Sequence, residues 1–224
     1  MLLADSKPDS PGINGDHPVC KIIPIKNALV TMAGMIRDWS PQLDPADIAA
    51  KAFDSPGNFA AHVKLATERI QAKASEDIAR LKTEAPERYA SVLKNGADGK
   101  SSGDHEVPLL AILFLGFENH VAMLAERKFY WNEAKSKIEI RKHDCPGQAC
   151  PDGHYVSRLG AVSELDKFLA THKQADLGET TLHDLLVQQA HTTPKETALP
   201  IQILSLQESG PIWLANDLGC SLQK

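Results

Sequence analysis

No apolar run in this 224-residue chain approaches the roughly 20 residues that a membrane-spanning helix needs. The longest, Pro108 to Phe117, has the length of a buried strand. Basic charge is also lacking. The net charge is −5, so there is no positive field to gather a nucleic acid. Cysteine is sparse: Cys20, Cys145, Cys150 and Cys220 are too few for a disulfide-dense scaffold. No basic segment precedes Leu2, so the chain as written carries no signal peptide. It is expected to be cytoplasmic, and exported if a signal peptide lies upstream of Met1. "NGADGK" runs on into loop composition and opens no helix, so no nucleotide site or other cofactor is expected. There is no internal repeat and no obvious linker, which predicts a single domain over residues 1–224.

What is present is enough apolar sequence for a core, 42% of the chain. "MLLADSK" opens on buried-type residues with no polar lead-in, unlike most chain ends. Lys7 to Pro18 is a loop by composition. Cys20 to Ile25 and Ala28 to Gly34 read as two strands joined at Lys26-Asn27. Pro24 favours an edge position or a bulge. Asp44 followed by Pro45 opens a helix. Phe59, Val63, Ala66, Ile70, Ala74, Ile78 and Leu81 recur at steps of three and four, one face of a long helix that Pro86 ends. Glu87 to Leu93 adds a short helix, and Asn95 to Glu106 is a loop. "VPLLAILFLGFE", "HVAMLAERKFYW" and "SKIEIRK" then read as strands. His154 to Gly160 is strand-like. Glu164 to Thr171 is a helix entered at Ser163, and a second helix opens at Thr181 and runs through Ala190. "LPIQILSL" and "PIWLA" form a closing hairpin around Glu208-Ser209-Gly210. Strand blocks alternating with helix blocks argue for α+β layers, two stacked sheets with helices outside both.

This element order, with "LLADSK", "CKI" and "MAGM" in sequence, resembles the proteasome β-subunit-like family of N-terminal nucleophile (Ntn) hydrolases. In that family "LLADSK" would be the second strand, and sixteen positions separate Asp5 from Lys21, as in the family. "RLGAVSELDKFL" and "LPIQILSLQESGPIWL" fit its turn, helix and final hairpin. The resemblance implies a four-layer αββα sandwich and a threonine-type amide or peptide bond hydrolase, with a peptide or amide as substrate and a possible homo-oligomer. A threonine at the chain head uses its own amine as base, and its hydroxyl attacks a carbonyl. The resemblance makes Lys21 the ammonium that stabilises negative charge. Asp5 holds that ammonium, the backbone N–H of Gly34 donates to the oxyanion, and Lys7 supports them.

The chain departs from the pattern at defined points. Residue 1 is Met, so the nucleophile is absent from the given chain and is expected on a strand upstream of Met1. Gly160 is followed by Ala161 where the family has a serine, and "AHTTPKET", with His191, Thr192 and Thr193, lacks the family's acid. A catalytically inactive proteasome-like scaffold or binding protein is therefore the alternative. Asp5 and Lys21 would then be a structural ion pair. The loop "HDCPGQACPDG", an insertion over residues 143–154, carries His143, Cys145, Cys150 and His154. These could ligate zinc, but the spacing is not that of paired structural-zinc ligands, and no metal is assigned. A Cys145–Cys150 disulfide suits an exported protein and free thiols a cytoplasmic one, which leaves a zinc- or redox-responsive module as a second alternative. Cys20 beside His17 is read as a buried side chain of a strand, not a nucleophile.

Overall fold

The computed structural model describes residues 2–4, 22–34, 40, 43–95, 106–146, 163–173, 176, 178–192, 202–207 and 209–216. Among them the chain is α+β, with eight strands and five helices. The strands are β1 (Leu2–Ala4), β2 (Ile22–Ile25), β3 (Ala28–Ala33), β4 (Glu106–Glu118), β5 (Val121–Asn132), β6 (Lys137–Cys145), β7 (Gln202–Gln207) and β8 (Gly210–Asn216). The helices are α1 (Pro45–Phe53), α2 (Phe59–Glu84), α3 (Pro86–Asn95), α4 (Ser163–Leu169) and α5 (Glu179–Thr192).

Strands β2 to β6 form a five-stranded sheet in chain order, every neighbouring pair antiparallel. β1 belongs to a second sheet of order β1-β7-β8, where Leu2, Leu3 and Ala4 pair with Leu204, Ile203 and Gln202. The opening residues are thus tied down by the closing hairpin, which is why they can be apolar. Pro24 sits in β2, at the sheet edge, as its missing N–H predicts.

The helices α1 to α3 cover one face of the five-stranded sheet. The apolar stripe of α2 is buried as its periodicity predicts, with Val63, Ala66, Ile70, Ala74 and Ile78 at 1% exposure or less. It packs with Val30, Ile112, Phe114, Ala125, Phe129 and Ile138 of the sheet in one core. Each fully buried large aliphatic side chain there contributes roughly 1.5–3 kcal/mol. Asn58 caps α2 by accepting from the Ala61 N–H at 2.9 Å. Asp44 does the same for α1 through the Asp47 N–H at 3.0 Å, with Pro45 in the first turn. α2 ends at Glu84, two residues before Pro86, and Pro86 opens α3.

Polar ties fix the helices to the sheet. Gln71 Nε2 donates to the Ile138 carbonyl at 3.0 Å, and Trp131 Nε1 donates to Tyr89 Oη at 2.8 Å. Asp77 is buried on α2, where it accepts from Ser40 Oγ, Lys73 Nζ at 3.0 Å and Arg80 Nη2 at 3.1 Å.

Several boundaries differ from the sequence reading. β6 runs on to Cys145, so His143 to Cys145 are strand and not the start of the expected loop over 143–154. α3 runs to Asn95 and not Leu93, and α4 ends at Leu169 and not Thr171. His120 is not in a strand: Asn119 and His120, at φ 49° and 66°, form the two-residue turn between β4 and β5. The last helix begins at Glu179 and not Thr181, because the Gly178 carbonyl already accepts the Leu182 N–H at 3.0 Å. It also continues past Ala190 to Thr192. The expected strand at His154 to Gly160 lies outside the described residues.

Candidate functional site

Three strand ends bear on the expected site. β1 delivers the chain to Asp5, β2 begins immediately after Lys21, and β3 ends at Ala33 with Gly34 next. β2 and β3 run antiparallel with Ile22 opposite Thr31, so the start of one lies by the end of the other. Residues of β1 and β2 come within 8 Å of each other, Cα to Cα. The chain therefore leaves one sheet after Ala4 and enters the other at Ile22, and these two strands lie close to each other. Asp5, Lys7 and Lys21 themselves lie outside the described residues; Gly34 lies within them.

Gly34 has a packing reason to be glycine. Its φ is 141°, which L side chains rarely adopt, and a Cβ there would stand 2.5 Å from the Leu109 carbonyl oxygen and 2.9 Å from Leu110 Cα. β4 shifts register between Pro108 and Leu110 beside it, so the bulge and the glycine share one close approach.

The sheet face turned away from α1 to α3 carries groups that, His143 apart, the sequence reading did not single out. Strand register aligns Ile22, Thr31, Leu113, Glu126 and His143 in one row across all five strands. Ile22, Thr31, Leu113 and Glu126 are buried, Glu126 to 4% exposure, with Lys128 Nζ 3.3 Å from its carboxylate. The signal for this row is period-two alternation: Ala125, Phe129 and Trp131 join the helix-side core, so Glu126 must face the other way.

Further along the same face, toward the edge strand β6, the groups are paired and more exposed. The Arg141 guanidinium pairs with Glu106 and lies 4.3 Å over the Tyr130 ring. Lys135 Nζ donates to Glu139 at 2.8 Å; this bond, helped by Glu106 and Lys137, holds the Glu139 carboxyl down at about 2. On the helix side, burial pushes the Tyr89 phenol above its usual value, against the opposing effect of the Trp131 hydrogen bond.

Of the four residues weighed for zinc, His143 and Cys145 are described, on alternate positions of β6. Cys145 is disulfide-bonded, so its sulfur is not a thiolate available to a metal. Cys150 and His154 lie outside the described residues. Among the described residues no group of three or more His, Cys, Asp or Glu side chains could hold a metal ion.

A cavity of about 430 Å³ lies along α5, lined by Asp184, Val187, Gln188, His191 and Thr192. It brings His191 and Thr192 of "AHTTPKET" to one surface; Thr193 is outside the described residues. No protein-family model and no curated protein matches the chain. Among the described residues no helix is long and apolar enough to cross a membrane. Among the described residues, the end of β1, the start of β2 and the Gly34 turn after β3 are the backbone parts nearest the expected site.

Proposed function

We propose that the chain is the body of an Ntn-type amide or peptide bond hydrolase with an αββα sandwich, acting when joined to a strand that carries an N-terminal threonine. The observation that carries the reading is the path of the first strands. β1 pairs with the C-terminal hairpin in one sheet, and the chain then crosses to β2 and the β2–β3 hairpin of the other. On this reading Asp5 and Lys21, which follow β1 and precede β2 in the sequence, would meet at the junction of the two sheets.

The chemistry follows from those side chains. The threonine amine takes the hydroxyl proton, and the hydroxyl attacks the substrate carbonyl to give an ester, with the amine proton passing to the leaving nitrogen. The Lys21 ammonium lowers the cost of negative charge at the nucleophile, and Asp5 keeps that ammonium charged and oriented. The Gly34 N–H donates to the carbonyl oxygen as it becomes an oxyanion. Water then releases the acid. The test is labelling by an electrophilic peptide probe that captures N-terminal threonine. The protein carrying its threonine strand is labelled, Lys21→Ala lowers the labelling rate at least about 100-fold, and Lys7→Ala lowers it less. Equal labelling of wild type and Lys21→Ala defeats the assignment of Lys21.

A second reading has its own observation. The close contact of Gly34 with Leu109 requires glycine whether or not its N–H donates to a substrate. A scaffold or binding protein with this fold would keep Gly34 and lack the labelling altogether.

A further inference from the structure

We propose that the disulfide at Cys145 is a redox-sensitive clamp that holds Asp144 against the buried guanidinium of Arg127. Arg127 lies on the helix-covered face of β5 at 7% exposure. Its Nη1 donates to Asp144 Oδ1 at 2.6 Å and to the Glu126 carbonyl at 2.7 Å. Asp144 is its only carboxylate partner among the described residues, and the Asp144 side chain is 56% exposed. The two sides of this pair are therefore unequal. Without Arg127, Asp144 is solvated by water; without Asp144, Arg127 keeps a buried charge with no counter-ion, which is strongly destabilising.

What keeps Asp144 in place is the end of an edge strand. β6 is the outermost strand of its sheet and pairs only with β5 among the described residues. Asp144 and Cys145 are its last two residues, opposite Ala125 and Leu124. Strand ends at sheet edges open with low free energy. Here the final residue is held by a covalent bridge, because Cys145 is disulfide-bonded. The bridge limits fraying at the point where fraying would uncover the buried charge. A dithiol reductant opens the clamp: two electrons and two protons pass to the bridge, two cysteine thiols form, and the reductant closes to its own disulfide. This inference is independent of any hydrolase activity.

A thermodynamic cycle on the full chain separates the clamp from the general effect of a cross-link, which acts through the unfolded chain and is the same with or without Arg127. The proteins are wild type, Cys145→Ser, Arg127→Met and the double variant, each melted without reductant. Arg127→Met is expected to fold, since it removes a buried charge and leaves Asp144 in water. Cys145→Ser lowers Tm in the wild-type background by at least about 4 °C more than in the Arg127→Met background. Hydrogen exchange on the wild type gives a reading free of variants: dithiothreitol speeds exchange at Lys142 through Cys145 while β3 and β4 stay protected. Equal Tm losses in the two backgrounds, unchanged exchange at the end of β6, or a free Cys145 thiol in the untreated protein overturns the proposal.

Discussion

Gly34 shows how tightly packing can fix the identity of one residue. Its backbone lies in a region closed to L side chains, and the Leu109 carbonyl fills the place of a Cβ. Gly34→Ala is predicted to destabilise the protein by about 1–3 kcal/mol from backbone conformation alone, read as a lower urea midpoint at unchanged m. Glu139 is a second case. Its folded value of about 2 lies below the ordinary glutamate value of 4.5, so its contribution to stability is complete above pH 4.5 and is lost as pH falls toward 2. Glu139→Gln should flatten that part of the acid limb of a Tm-against-pH curve while leaving the curve above pH 6 in shape. Neither residue's environment was legible in the sequence. "MAGM" offers a glycine at a strand end, but not the carbonyl that faces it. Arg127 and Glu126 look like surface charges of a strand until their neighbours on both faces are known. Asp5 and Lys21 were singled out by resemblance alone, since no period in the sequence links residues that flank two different strands.

Among elements, the long apolar stripe of α2 was legible because helical spacing is a local property, and so was its end at Pro86. The sheet strands were legible from alternation and apolar runs. Boundaries failed where a turn or cap is set by backbone geometry, as at Asn119-His120 and Gly178. How α2 meets the sheet was not legible. Its first residue, Phe59, sits over Gly116, where a Cβ would come within 2.7 Å of the ring. That ring is held edge-on to Phe53, centroids 5.9 Å apart, so it has little room to move. Gly116→Ala is therefore predicted to cost about 1–3 kcal/mol by lifting the start of α2, while an alanine at exposed Gly178, with nothing near its Cβ, costs far less. Chemical denaturation of the two variants, side by side, checks the difference.

For the whole molecule, the α+β class followed from blocks of strand and helix, but the division of strands between two sheets did not. Leu2–Ala4 finds its partner in β7, almost the full length of the chain away, and no local pattern announces such a pairing. The proposed function lives at this scale, because it depends on how β1 is placed relative to β2 and β3. It asks for a nucleophile at the head of a strand beside this one. The intact mass of the protein from its native source tests that most directly. The account predicts a mass greater than that of Met1 to Lys224, accounted for by an added segment whose first residue is threonine. A mass that begins at Met1, or at Leu2 after methionine removal, contradicts the hydrolase and leaves the scaffold reading.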